Sequence, residues 1–544
     1  MSDTVKARVW FSEGMTYTWP EQQAGVKPNI GVCFSGGGTR AMCAAMGQLR
    51  ALIDIGFMQH VDYISCVSGG SWASTAFAYY KSGATNDAEL LGTPVDPQNI
   101  TMPMLELMTT SSMAWGATQD LGDAIDKAHR EGVKDDLLWA AAVGALFFER
   151  YGIWDLQSLP YFSLDQQTVD AIRAVNPSLA NAQFSTVRMP DAYKVPYLLI
   201  NATIDGPTAG VPYTTDPLMM VTYTPLYCGI PFQQSIEYIN KHAAALGGKW
   251  PTVVGGGFVE PFAWGGSEPL GPVTNGLVEV TPRATPFGAA SASGTSSSAF
   301  AAIFEKIKLV DGLLPEEMYW PPTATGKQPP AQLFDFGDGG NLENYGIIPV
   351  IMRGVKKIVV FINTDNPLSL TYDGDPKKTA SESEVDTSLP PLFGVPTKGN
   401  AAASINQVFP QGDYTTLIQA LQALKKAGQP LVHAMTHQIV RNPQRDGELG
   451  WGVPGGGSVE VLWVYLDKVD AWKDKLTDRD VRIQVDLAPT GIGDFAHFPN
   501  YKTIDENILP PWSLTELTAK QANLLAALTC WVVRQSKPAF DGLV

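Results

Sequence analysis

Asn29-Ile30-Gly31-Val32-Cys33-Phe34-Ser35-Gly36-Gly37-Gly38-Thr39-Arg40 is a short apolar run that stops on three glycines and continues from Ala41 with apolar residues at helical spacing. Val61-Asp62-Tyr63-Ile64-Ser65-Cys66-Val67-Ser68-Gly69-Gly70-Ser71-Trp72 repeats the arrangement a little downstream. Two such units in so short a span predict strands at 29–35 and 61–67 and helices at about 40–55 and 70–82. The strands should be parallel neighbours with a right-handed crossover between them. The chain is therefore read as α/β, with a central, largely parallel sheet flanked by helices.

The turns also carry chemistry. A serine oxygen can attack an ester only if it stands clear at a strand end, and small neighbours such as Gly69 and Gly70 leave Ser68 that room. A glycine triplet at a helix N-terminus offers unobstructed N–H groups to a developing oxyanion, the role expected of Gly36, Gly37 and Gly38. Cys66 stands where the G-x-S-x-G pattern has its first glycine, so the elbow alone does not single out Ser68.

A third segment does. Leu333-Phe334-Asp335-Phe336-Gly337-Asp338-Gly339-Gly340-Asn341-Leu342-Glu343-Asn344-Tyr345-Gly346 reads as a strand ending in an acidic turn. Asp338, flanked by glycines, is placed to accept a hydroxyl proton. Asp335 on the same strand end competes with it, but lacks the open turn that Gly339 and Gly340 provide.

These three motifs, in this order, resemble the cytosolic phospholipase A2 and fungal phospholipase B group of patatin-like lipid acyl hydrolases. Weaker similarity lies in Gly294-Thr295-Ser296-Ser297-Ser298-Ala299-Phe300 and in Phe495-Ala496-His497-Phe498-Pro499-Asn500. The resemblance implies a patatin-like catalytic fold and a Ser–Asp dyad without histidine, Ser68 as nucleophile and Asp338 as base. It further implies Gly36, Gly37 and Gly38 as oxyanion hole and Arg40 as ligand of a lipid phosphate. The implied substrate is a phospholipid or lysophospholipid, met in transient contact with a membrane interface. Neither cofactor nor metal is implied, and the stretch before Asn29 is too short for an N-terminal calcium-binding lipid module. An acyltransferase or thioesterase using the same dyad, or a non-catalytic lipid-binding scaffold, are the alternatives. A triad recruiting His497 is the mechanistic rival.

Composition sets bounds. The 544 residues are 45% hydrophobic and 17% charged, ample for a large core. Ser68 and Asp338 must meet although 270 positions apart, so residues 1–544 are expected to form a single catalytic domain with 99–330 as a cap-like insertion. A formal net charge of −16 without basic clusters argues against nucleic acid as a partner. Five cysteines, three of them in apolar runs, suggest small buried hydrophobes rather than a disulfide framework. With no signal-like start and no long apolar stretch, a cytoplasmic protein is expected. The oligomeric state is not legible.

Other features divide between function and packing. The Met- and aromatic-rich stretch 99–155 reads as a lid or, more simply, as helical core. The small residues from Thr281 to Ser298 read as a linker by composition and as a wall near the site by the resemblance. His433 and His437 have the spacing of a zinc pair on a helix but lack the glutamate of a zincin. The first glycine triplet shows no G-K-[ST] and no dinucleotide fingerprint, which argues against a nucleotide site.

Overall fold

The computed structural model describes residues 4–12, 18–207, 218–239, 249–299, 314–398, 406–441, 453, 455–502 and 516–544, with only the backbone at 237–239, 249–251 and 268. Fourteen strands form one sheet. In chain order they are β1 (Val5–Phe11), β2 (Ile30–Phe34), β3 (Tyr63–Val67), β4 (Tyr197–Pro207), β5 (Met219–Tyr223), β6 (Cys228–Ile230) and β7 (Gly257–Val259). Then follow β8 (Ser267–Thr274), β9 (Leu277–Thr281), β10 (Glu316–Tyr319), β11 (Gln332–Asp338), β12 (Lys357–Ile362), β13 (Leu431–Gln438) and β14 (Ser458–Tyr465). The spatial order is β8-β9-β1-β7-β6-β5-β4-β3-β2-β12-β14-β13, with β11 paired to β4 and β10 to β11.

The helices that matter for the site are α1 (Gly38–Asp54), α2 (Gly69–Tyr79), α3 (Asp135–Val143), α4 (Ala289–Ser296), α5 (Gln411–Lys426) and α6 (Ala519–Gln535). The predicted strand–turn–helix units are all present, each within a few residues of its expected bounds. The terminal helix expected from Leu514 begins at Ala519, and residues 514 and 515 lie outside the described residues, as does Phe300.

The sheet is mixed rather than largely parallel. Only β4, β3, β2, β12 and β14 run parallel to their neighbours in one block. The wings pair antiparallel because short connections, such as that between Thr274 and Leu277, can join only antiparallel strands. Strands β4 to β10 lie within residues 99–330, so this span builds half of the sheet as well as helices beside it.

The parallel block is apolar throughout because both of its faces are covered. Val32, Phe34, Ile64 and Cys66 point into a core shared with α1, α2 and α6. Cys33, Tyr63, Leu199, Ile358 and Val360 point the other way, into a core shared with Ile347–Met352 and α5. All five cysteines are buried free thiols. Met113, Trp139, Phe147, Phe148 and Tyr151 are buried, and Phe147 stacks on Trp72 of α2 at 4.3 Å between ring centroids. The Met- and aromatic-rich stretch is thus largely core.

His433 and His437 lie on strand β13, not on a helix. His437 is buried, 2.8 Å through Nδ1 from Asp413, and its Nε2 accepts the Trp463 indole N–H at 3.1 Å. The ring is held among aromatic neighbours, and burial lowers its pKa. Among the described residues no group of three or more His, Cys, Asp or Glu gathers as a metal site, and no helix is long and apolar enough to cross a membrane.

Candidate active site

One strand brings the three sequence motifs together. Along β4, Asn201 pairs with Val67 of β3, and the next residue, Ala202, pairs with Asp338 of β11. Strand β3 ends where β11 arrives from the opposite direction on the same edge of β4. Successive strand residues advance about 3.3 Å, so Ser68, one residue past Val67, stands beside Asp338. The closeness is tight: a Cβ on Gly339 would come within 2.4 Å of Asn201 O and 3.0 Å of Val67 Cγ1.

Ser68 sits between β3 and α2 with φ 49° and ψ −125°. A non-glycine residue there carries strain on the order of 1–3 kcal/mol, which its surroundings must offset. The two glycine turns pack against each other to do so. A Cβ on Gly69 would fall 1.9 Å from Gly38 O, and one on Gly70 would fall 2.5 Å from Phe34 O. Either substitution would force the turns apart.

Gly36 has a different place from the one expected. Its N–H donates to Asn344 O at 3.0 Å, so it is engaged with the acidic turn rather than turned to a substrate. A Cβ there would meet Asn344 Oδ1 at 2.2 Å and Ser68 Cβ at 3.0 Å. Gly36 therefore permits a close approach, while Gly37 and Gly38, the N-cap and first residue of α1, stand at the helix dipole's positive end.

Asp338 is buried, and its carboxylate accepts two backbone N–H groups. Oδ1 accepts Gly340 N–H at 2.7 Å and Oδ2 accepts Ala299 N–H at 3.3 Å. The neighbouring Ser68 hydroxyl also draws the carboxyl's pKa down. Burial outweighs these donors and pushes the Asp338 carboxyl up to about 6. Asp335 is only half-buried and lies farther back along β11, opposite Gly206. Glu343, also buried, accepts Tyr345 N–H at 2.6 Å and Ile348 N–H at 3.3 Å, which fixes the loop behind Asp338.

Arg40 is buried beneath the glycine turn. Nε donates to Asn363 O at 3.0 Å, Nη1 donates to Tyr501 O at 2.6 Å, and Nη1 lies 3.6 Å from Asp365 Oδ2. A Cβ on Gly37 would come within 2.4 Å of Nη2. The Phe495–Asn500 segment serves this arrangement: Asn500 Nδ2 donates to Thr364 O and Leu466 O, both at 2.9 Å, just before Tyr501. His497 is exposed, with its ring against Gly491.

No family model matches the chain. Cytosolic phospholipase A2 zeta of Homo sapiens is 30% identical over 128 residues, 23% of this chain and 14% of the relative. Its Mus musculus namesake is 49% identical over 45 residues, 8% of this chain and 5% of the relative. The chain resembles the cytosolic phospholipase A2 group. It spans 14% or less of the length of these curated relatives. A solved structure of human GIVD cytosolic phospholipase A2 aligns with a TM-score of 0.44 at 13% identity, covering 95% of this chain and 60% of that one.

Sequence reasoning did not find Ser296. Its Oγ accepts Ser68 N–H at 3.0 Å and its hydroxyl donates to Asn201 O at 2.6 Å. The signal was present in the small-residue run around it, whose residues 289–296 form the buried helix α4 beside the site, the wall implied by the resemblance rather than the linker suggested by composition.

Proposed function

We propose that this chain is a lipid acyl ester hydrolase of the phospholipase A2 or lysophospholipase type, built on a patatin-like cytosolic phospholipase A2 catalytic fold. The observation that carries this reading is the pairing along β4, which sets an elbow serine beside a buried aspartate. Ser68 Oγ attacks the ester carbonyl as Asp338 takes its proton, and the Gly37 and Gly38 amides receive the charge on the carbonyl oxygen. Asp338 then returns the proton to the leaving alkoxide, and water admitted in its place releases the fatty acid from Ser68. Residues 1–544 act as one catalytic unit in this reading, with 99–330 as an insertion that also extends the sheet. The test is release of free fatty acid from phospholipid and lysophospholipid in mixed micelles. Transfer of the acyl group to an added alcohol instead of water would favour the acyltransferase alternative.

The pH profile checks the base. Asp338 acts only when ionised, and its carboxyl is raised to about 6. The ratio kcat/KM should therefore rise with pH and level off above about 6, rather than near the 3.8 of an ordinary aspartate. A limb near 3.8 would point to a different, exposed carboxylate.

Two roles are open to Arg40. The phosphate reading needs guanidinium donors turned to the substrate, whereas the carbonyl contacts to Asn363 and Tyr501 favour bracing of the glycine turn. In the bracing role, Arg40→Ala lowers turnover of phospholipid and of p-nitrophenyl butyrate in the same proportion, and this is the result expected. A selective loss on phospholipid, repeated in Arg40→Lys, would assign the phosphate contact instead.

A further inference from the structure

We infer that Ser296, at the C-terminal end of α4, is a positioning residue that holds the nucleophile in register with its base. The inference rests on the roles proposed for Ser68 and Asp338. Ser68 N–H points at Ser296 twice, 3.0 Å from Oγ and 3.2 Å from the carbonyl oxygen. The Ser296 hydroxyl proton is directed to Asn201 O, on the residue of β4 that pairs with Val67. One buried hydroxyl therefore links the strained elbow to the strand that sets its position. An oxygen that accepts and donates at once is required, which alanine cannot supply.

The same turn reaches the base. Three residues after Ser296, Ala299 N–H donates to Asp338 Oδ2. Residues 296–299 thus hold the amide of the nucleophile and the carboxylate of the base, groups that no covalent proximity brings together. The helix carrying them is itself fixed. Ser293 Oγ meets Thr75 Oγ1 at 2.7 Å, and Trp72 Nε1 donates to Ser297 Oγ at 2.9 Å. Trp139 Nε1 donates to Gly294 O at 2.9 Å, and a Cβ on Gly294 would meet Ala140 Cα at 2.9 Å. Because α4 is wedged between α2 and α3 by these contacts, removing the Ser296 hydroxyl leaves the Ser68 amide only the longer bond to the Ser296 carbonyl and cuts the link to Asn201 without dislodging the helix.

The experiment compares Ser296→Ala with Ser293→Ala, which removes a buried hydroxyl one turn away and leaves Ser68 untouched. Steady-state kinetics on p-nitrophenyl butyrate, the rate of fluorophosphonate labelling, the pH profile and the melting temperature are measured for both. Ser296→Ala should lower kcat and the labelling rate by about 10- to 100-fold, as expected for a reacting group moved by around an ångström. Its KM should change little. Its acid limb should move to higher pH, because the Ser68 hydroxyl is one of the donors that hold the Asp338 carboxyl down. Ser293→Ala should melt earlier and keep the wild-type kcat and limb. Wild-type kcat, labelling and limb in Ser296→Ala would overturn the inference, while an inert Ser68→Ala would leave the hydrolase reading standing. An active Ser68→Ala would remove that reading itself. Should Ser296→Ala fail to fold, Ser296→Cys, with its weaker donor and acceptor, decides by the same comparison.

Discussion

Ser68→Ala is expected to abolish ester hydrolysis and fluorophosphonate labelling together. The substitution removes one oxygen from the end of β3 and no core volume, since the side chain lies at the junction of two glycine turns. Alanine accepts the φ of 49° no better than serine does, so the strain at the elbow is unchanged. The fold and the melting temperature should therefore hold while the covalent step is lost. Residual labelling at the wild-type rate would mean that another serine is the nucleophile.

Asp338→Asn should lower the rate by the 10²–10⁴-fold characteristic of a lost general base, roughly, while preserving shape. It should also stabilise the protein at alkaline pH. The folded carboxyl titrates at about 6, above its ordinary 3.8, so folding favours the protonated form. The stability this group contributes is fully present below about 3.8 and is lost as pH rises through about 6. At pH 8 the buried charge costs roughly 3 kcal/mol at most. The amide does not carry that charge, although its NH2 faces the Ala299 N–H and returns part of the gain. The melting temperature of Asp338→Asn relative to wild type should accordingly climb between about pH 4 and pH 6 and level off above that. Asp335→Asn and His497→Ala should show neither effect, since Asp335 lies farther back on β11 and the exposed His497 ring rests on Gly491. Equal losses from Asp335→Asn and Asp338→Asn would leave the base unassigned.

The parts of the site that sequence made legible are those where local sterics dictate the residue. Gly69, Gly70 and Gly339 are needed because neighbouring backbone passes where a side chain would be, and such demands leave glycines beside apolar runs. The parallel strands were readable for a similar reason, since burial on both faces makes them continuous apolar runs. What stayed hidden depends on partners distant in the chain. The amide of Gly36 looks like that of Gly37 until Asn344 is folded against it. His433 and His437 suit helical spacing as well as a strand, and only pairing with β14 decides between them. The buried Arg353–Glu21 pair, 2.7 Å apart, joins a helix after the acidic turn to a short one near the start, and neither residue signals the other locally. Ser296 belongs to this group, one small residue among many until Ser68 lies against it.

The packing of α6 on α1 has a consequence for biosynthesis. A Cβ on Gly47 would strike Ala526 O at 2.2 Å, and Thr529 Oγ1 donates to Ala44 O across 485 positions of chain. The helix that begins at the glycine turn is thus completed by a segment synthesised 485 positions after it. A nascent chain carries Ser68 270 positions before Asp338, and longer still before the α6 packing that seats the turn. Contacts of such span also slow the final closure. A growing polypeptide therefore carries its proposed nucleophile on an unseated turn, and the site is assembled only once Ala519–Gln535 has been made and docked.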